Sequence, residues 1–391
     1  MRRLAYCLFL LASLTLSGQP AFDPYWDFSL DNGPWETVRV PHDWSVALPF
    51  DSLRGEGATG YLLGGRGRYR KTFRSPDRPV TYLYFDGVYN NAIVALNGHE
   101  LGFHPYGYAP FYYDVSQHLR PIGEENELTV SVDRTRYADS RWYTGSGIYR
   151  EVKLLNADYL HIPVWGVSVT TPRVNNHQAE VRIDVRLANR GARPQGAGLV
   201  VELRSPRGQT VASARTDCSL NAGEERTGTQ LLTVQDPLLW DVDTPQLYTV
   251  ITRLISGGTT RQEVTTPCGI RTFRFDACEG FFLNGKNRKI KGVCLHHDGG
   301  AVGAAVPKAV WRRRLQTLKD AGCNAIRSAH NPASEEFLDL CDEMGFLVQD
   351  EFYDEWDYPK DKRKNMGEST STDYLTRGHH EHFQEWAKTD L

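Results

Sequence analysis

The sequence predicts a multidomain protein: two β sandwiches in succession, followed by a parallel α/β unit. Three observations predict it. From about residue 22 to 275, short runs alternate apolar and polar residues between turn signals, and no stretch carries an ordinary helical period. Near Val293 the pattern changes to short apolar runs joined by single stretches with apolar residues three and four apart. The chain has 391 residues, and at about 100–200 residues per domain that leaves room for two to four domains.

The first element is a leader. Arg2 and Arg3 precede an apolar run centred on Leu8 to Leu16, and the small residues Ser17 and Gly18 follow. This order reads as a secretory signal peptide over residues 1–20, so the expected destination is export, periplasmic or secreted. No later stretch supplies the ~20 apolar residues of a transmembrane helix. The formal net charge is −3 and no basic stripe occurs, which argues against a nucleic-acid partner. The six cysteines after Cys7 are dispersed with no CxxC pair, so no structural zinc is expected. Export permits a disulfide without requiring one.

Residues 22–157 read as an antiparallel two-sheet sandwich. Thr81 to Phe85, Ala92 to Leu96 and Glu127 to Val132 are strand-like, with turns at Asn97-Gly98 and Pro121-Ile122-Gly123. Trp44, Phe85, Tyr89, Trp142 and Tyr149 suit a core in which the Trp and Tyr tips stay hydrogen-bonded. Asp139, Arg141 and Trp142 lie in a loop able to bridge two domains, and an exposed Trp142 would weigh against a purely core role. Residues 160–275 form a second β unit with strand candidates Val167 to Thr170, Val181 to Leu187, Leu199 to Leu203, Leu231 to Val234 and Leu247 to Leu254. An immunoglobulin-like sandwich fits best, acting as a spacer without chemistry of its own.

The third unit, residues 279–391, opens with a hairpin around Asn284-Gly285. Val293 and Leu295 form a strand that stops at His296 and His297. Val310, Trp311, Leu315 and Leu318 share a helix face. Asn324 to Arg327 is a strand that stops at His330. Phe337, Leu340, Cys341 and Met344 share a second helix face, and Phe346 to Val348 is a strand that stops at Asp350 and Glu351. Short strands joined by single helices pair in parallel, and ligands bind beyond the carboxyl ends of such strands. His296, Arg327, His330, Asn331, Asp350 and Glu351 should therefore converge. The bland reading is a set of polar links between strands, and Arg327 paired with a strand-end carboxylate fits it best. His330, beside Asn331-Pro332, favours ligand contact, and His296 is evenly balanced. Asp354 and Glu355 fall on a loop whose default is a solvated face. The His379-His380-Glu381-His382 run lacks a second ligand set at metal spacing. A polar segment from Pro359 to Asp373 and a helical stretch from Tyr374 to Leu391 complete the chain.

Ten motifs in order then carry a resemblance: VPHDW (40–44), GRYRKTF (67–73), FDGVYNNAIVALNG (85–98), RWYTGSGIYREV (141–152), DPLLWDVDTPQLYTV (236–250), GIRTFRF (269–275), GVCLHHD (292–298), AIRSAHNP (325–332), LCDEMGFLVQDE (340–351) and DEW (354–356). From Tyr25 to Trp356 the chain resembles glycoside hydrolase family 2, which includes β-galactosidases, β-glucuronidases and β-mannosidases. The resemblance implies a jelly-roll-like, sugar-binding-like β sandwich, an immunoglobulin-like sandwich and the N-terminal part of a (β/α)8 TIM barrel, about three strands of it. It implies a retaining hydrolase of terminal β-D-galactosides, since DEFYDEW and the HHD run look more like β-galactosidase relatives. The alternatives are a β-glucuronidase, a β-mannosidase or a non-catalytic carbohydrate-binding protein. The implied partner is the terminal β-linked sugar of an oligo- or polysaccharide, and the longer enzyme could form an oligomer. No cofactor is expected, save a divalent cation that some relatives hold near the third strand. The resemblance places the acid/base in an Asn-Glu pair after the fourth strand and the nucleophile in a Glu after the seventh. Both are expected beyond Leu391, so no catalytic residue is assigned and this chain alone is expected to be inactive. Asp350, Glu351, Asp354 and Glu355 then shape the pocket, and the loop of Asp139, Arg141 and Trp142 reaches over the barrel mouth to the terminal sugar.

Overall fold

The computed structural model describes residues 22–55, 57–135, 142–175, 177–357, 361 and 378–390. The alternating runs of the first domain become nine strands: β1 (Tyr25–Leu30), β2 (Glu36–Arg39), β3 (Gly65–Arg74), β4 (Val80–Phe85), β5 (Ala92–Leu96), β6 (His99–His104), β7 (Phe111–Asp114), β8 (Glu125–Arg134) and β9 (Val152–Ala157). One sheet runs β2-β1-β3-β8-β5-β6 and the facing one β7-β4-β9. The period of two decides which side chains meet between them. Leu128, Val130 and Val132 of β8 and Ala92, Val94 and Leu96 of β5 point inward against Trp26, Phe28, Tyr69 and Phe85. β4 departs from alternation, with all six residues buried. Its second face is covered by other parts of the chain: Tyr82 pairs with His161 at 2.9 Å, and the Tyr84 hydroxyl donates to Glu335 at 3.1 Å.

The second sandwich has β10 (Leu160–His161), β11 (Val167–Val174), β12 (Gln178–Asn189), β13 (Gln195–Arg204), β14 (Thr210–Leu220), β15 (Glu225–Gln235), β16 (Tyr248–Ser256) and β17 (Thr259–Cys268). β10, β11 and β15 all pair with β12, and the other sheet runs β14-β13-β16-β17. Ala179, Val181, Ile183, Val185 and Leu187 of β12 face Leu199, Val201 and Leu203 of β13 across a dry core. Between 30 and 270 the described residues contain only two short 3-10 turns, Trp44–Ala47 and Gly57–Thr59, and no α-helix.

The third unit begins with β18 (Phe273–Asp276), β19 (Gly280–Leu283) and β20 (Lys286–Asn287). The β19–β20 turn places Asn284 at φ 51° and Gly285 at φ 75°, the two left-handed positions an Asn-Gly hairpin supplies. Then come β21 (Gly292–Leu295), α1 (Lys308–Asp320), β22 (Ala325–Ser328), α2 (Glu335–Met344), β23 (Leu347–Gln349) and α3 (Phe383–Asp390). β21, β22 and β23 pair in parallel and in that order. Trp311 and Leu315 of α1 and Phe337, Leu340 and Cys341 of α2 pack against Ile326. Ser334 caps α2 by accepting from the Phe337 amide at 3.3 Å, and Gly345 ends it at φ 76°. Among the described residues no helix is long and apolar enough to cross a membrane.

Polar links fasten both sandwiches to this unit. The Trp240 indole N–H donates to the Asp342 carbonyl at 2.9 Å. Lys319 donates to the Val242 and Gly345 carbonyls, both at 2.7 Å. From the first sandwich, Asp43 accepts from the Ala304 amide at 2.9 Å, and the Arg150 guanidinium donates to the Pro332 carbonyl at 2.9 Å.

Candidate functional site

Parallel pairing sets Leu295 beside Ser328 and Arg327 beside Gln349, so three strands end at one level. His296 and His330 follow the first two strands, and their rings lie 5.5 Å apart. Trp142, from the first sandwich, leans over both, its ring 5.2 Å from His296 and 4.9 Å from His330. Its indole N–H donates to the Tyr108 hydroxyl at 3.2 Å. The result is a wall of three flat rings drawn from two domains. Burial, with His330 adding to it, pushes the His296 imidazole below its ordinary range, which favours the neutral ring. Its Nδ1 and the Asn331 Nδ2 are buried polar atoms with no hydrogen-bond partner among the described residues. Such atoms are costly unless a ligand or water meets them.

A second layer fixes the first. His330 Nδ1–H donates to Glu351 at 2.9 Å, which leaves Nε2 for a ligand. The same carboxylate forms an ion pair with Arg327, the strand-end pairing expected for that arginine. Asp350 accepts from the Ser328 hydroxyl and from the Ala333 amide, and the Ser328 oxygen accepts from the Glu351 amide at 2.9 Å. Asp350 thus locks the β22 and β23 ends together.

One expectation needs correction. Asp354 and Glu355 do not form a solvated face: they are 3 % and 1 % exposed. His379 Nδ1–H reaches both Asp354 oxygens, at 2.8 and 3.0 Å, and the His380 backbone N–H donates to Glu355 at 3.1 Å. The histidine run therefore supplies donors to two buried carboxylates. Beside them Tyr353 stacks on Tyr106 at 4.0 Å. Among the described residues no three His, Cys, Asp or Glu side chains converge as a metal ion would need. Asp139 and Arg141 lie outside the described residues.

The sequence reading missed four residues that build the site. Tyr108 anchors Trp142. His297 donates from Nε2 to the Thr144 carbonyl at 3.0 Å, and burial pushes its pKa down to about 4. Arg150 donates to the Tyr108 carbonyl at 2.8 Å as well as to Pro332, tying the Trp142 anchor to the His330 loop. Asp43 accepts from Ser45, Ser146 and Ala304 amides and from the Tyr143 hydroxyl. Arg150 and Asp43 stand inside conspicuous motifs, but their partners are distant in sequence.

Family models match all three parts: the sugar binding domain of glycosyl hydrolases family 2 at 62–158, a further family 2 domain at 161–271 and the family 2 TIM barrel domain at 277–379. The chain belongs to glycoside hydrolase family 2. It is 41% identical over 385 residues to the Bacteroides ovatus beta-galactosidase BoGH2A, covering 95% of this chain and 44% of that one. It is 30% identical over 365 residues to a beta-glucuronidase of Bacteroides fragilis, covering 88% and 51%. A solved family 2 member from Bacteroides cellulosilyticus superposes with a TM-score of 0.86 at 34% identity, covering 95% of this chain and 48% of that one. The chain thus spans about half the length of these family 2 relatives, and its TIM-barrel part contributes three parallel strands among the described residues.

Proposed function

We propose that the strand-end site binds the terminal sugar of a β-galactoside, and that this chain is the sugar-recognising part of an exported, retaining exo-β-galactosidase. The observation that carries the reading is the ring wall of Trp142, His296 and His330, followed in sequence by Asn331, whose Nδ2 has no partner among the described residues. An indole face suits the C–H face of a pyranose, and the imidazoles and the amide suit its hydroxyls. Such contacts gain strength as the ring flattens towards the transition state. Arg327 already pairs with Glu351, so part of its charge is matched before any uronate carboxylate arrives. This favours galactose over glucuronate.

Hydrolysis with retention uses two carboxyl groups ~5–5.5 Å apart, one able to give a proton and one ionised. Asp350, Glu351, Asp354 and Glu355 each already accept hydrogen bonds from protein donors. On this reading they hold the pocket in shape, and other parts of the enzyme provide the acid/base and nucleophile. Export is supported by Arg2 and Arg3 ahead of the apolar run from Leu8 to Leu16.

The test is saturation-transfer NMR of the 391-residue chain with D-galactose, D-glucuronate and D-mannose. Galactose should show transfer, and Trp142→Ala or His330→Ala should abolish it. Transfer to glucuronate but not galactose would replace the reading with a β-glucuronidase. No transfer to any sugar would overturn the site.

A further inference from the structure

The segment between β10 and β11 contains a turn that its own sequence disfavours. The Gly166 amide donates to the Pro163 carbonyl at 2.9 Å, closing a four-residue turn with Trp165 in its third position at φ 54°. Glycine or asparagine is the usual occupant there, because a Cβ crowds the backbone at positive φ. Arg186 pins the turn twice, through its amide to the Gly166 carbonyl at 2.7 Å and through its guanidinium to the Val164 carbonyl at 2.7 Å. Trp165 nevertheless stays 53% exposed. The rings of Tyr84 and Tyr112 meet it edge-on at 5.9 and 5.3 Å, both at 77°. A large ring therefore sits where the backbone favours none, held in one orientation with one side open. Backbone strain of this kind gathers at functional positions.

The ring borders a groove of about 690 Å³ between the two sandwiches and the start of α2, well within the range of small-molecule sites. Three cations (Arg78, Lys153 and Arg261) line it together with three carboxylates (Asp77, Glu263 and Glu335), for a balance of zero. A neutral lining offers no net attraction to a polyanion. It offers a polyhydroxylated neutral chain one flat face and surrounding donors and acceptors. Lys153 and Glu335 also line the cavity of about 260 Å³ that reaches His296 and His297, so the groove adjoins the strand-end site without sharing its ring wall.

We propose that the Trp165 groove is a second carbohydrate subsite, taking neutral units of a β-linked oligo- or polysaccharide chain. The substrate class rests on the glycosidase reading above; the site itself rests on the turn, the platform and the groove. Native electrophoresis of the 391-residue chain through gels containing soluble β-1,4-galactan, xyloglucan or β-mannan tests it, with an α-glucan gel as control. At least one β-glycan should retard the protein relative to the α-glucan. Trp165→Gly should weaken that retardation at least tenfold without lowering the melting temperature, since glycine relaxes the positive φ. Trp165→Phe should keep part of it, and Trp142→Ala should keep most. No retardation by any of the three β-glycans overturns the proposal. So does a Trp165→Gly variant that melts earlier yet migrates like the parent, which would make the ring a packing plug. Galactose transfer in the NMR experiment, retained in Trp165→Gly, separates failure of the groove from failure of the strand-end site.

Discussion

Asp43→Asn tests how the first sandwich holds the strand ends in place. Asp43 is 5 % exposed, and each of its oxygens accepts twice: Oδ1 from the Ser45 and Ser146 amides, Oδ2 from the Tyr143 hydroxyl and the Ala304 amide. An asparagine keeps the first pair and turns an NH2 towards the second. The Tyr143 hydroxyl can rotate and accept from it, but the Ala304 N–H cannot. One orphaned buried donor costs ~1–3 kcal/mol. The charge removed was itself expensive to bury, and burial is what pushes the Asp43 carboxyl above its ordinary range. The two effects oppose; with the orphaned donor near the top of that range the net loss is ~2 kcal/mol. Asp43→Ala orphans three backbone N–H groups and should cost about 5 kcal/mol on the same scale. The assay is hydrogen exchange by mass spectrometry at pH 7 on a peptide containing Ala304. A loss of ~2 kcal/mol corresponds to roughly 30-fold faster exchange when local opening governs the rate. Exchange within threefold of the parent in both variants would refute the claim that Asp43 docks the two domains.

Two further outcomes follow from burial. His297 has its pKa lowered from 6.5 to about 4 by burial, so the neutral ring is the folded form and the unfolded chain takes up the proton first. Its contribution is whole above pH ~6.5 and is lost as pH falls towards 4, on the order of 2–3 kcal/mol; urea midpoints measured across that window should fall more steeply for the parent than for His297→Gln, and parallel curves would contradict the assignment. Leu315→Ala removes a side chain with 0% exposure from the core that joins α1 and α2 to β22, at a cost of ~2–5 kcal/mol; limited proteolysis should then cut the unit after residue 279 first, and an unchanged cleavage pattern would contradict it.

Local periodicity made much of the fold legible. Ala92 to Leu96 forms β5 residue for residue, and the change of period near Val293 marks where parallel strands begin. The faces of α1 and α2 follow their apolar spacing, and Asn284-Gly285 makes its turn. Elements without an apolar stripe escaped. β14, TVASARTDCSL, is mostly exposed along its length at the edge of its sheet, and β17 occupies the opposite edge. The site was legible only in part for a different reason. His296 and His330 could be found because a strand end announces them. The burial of Asp354 and Glu355 depends on His379 and His380, 25 residues onward. Asp43 depends on Ala304, 261 residues away. No local pattern encodes such pairings; they arise when whole domains dock.

The most direct test is turnover of 4-nitrophenyl β-D-galactoside by the purified 391-residue chain, alongside Asp350→Asn, Glu351→Gln, Asp354→Asn and Glu355→Gln. The central claim is that these carboxylates shape a sugar site and perform no bond cleavage. It predicts no turnover above the uncatalysed background by the parent or by any of the four variants. Turnover by the parent that one of those substitutions abolishes would contradict it and assign catalysis to that carboxylate.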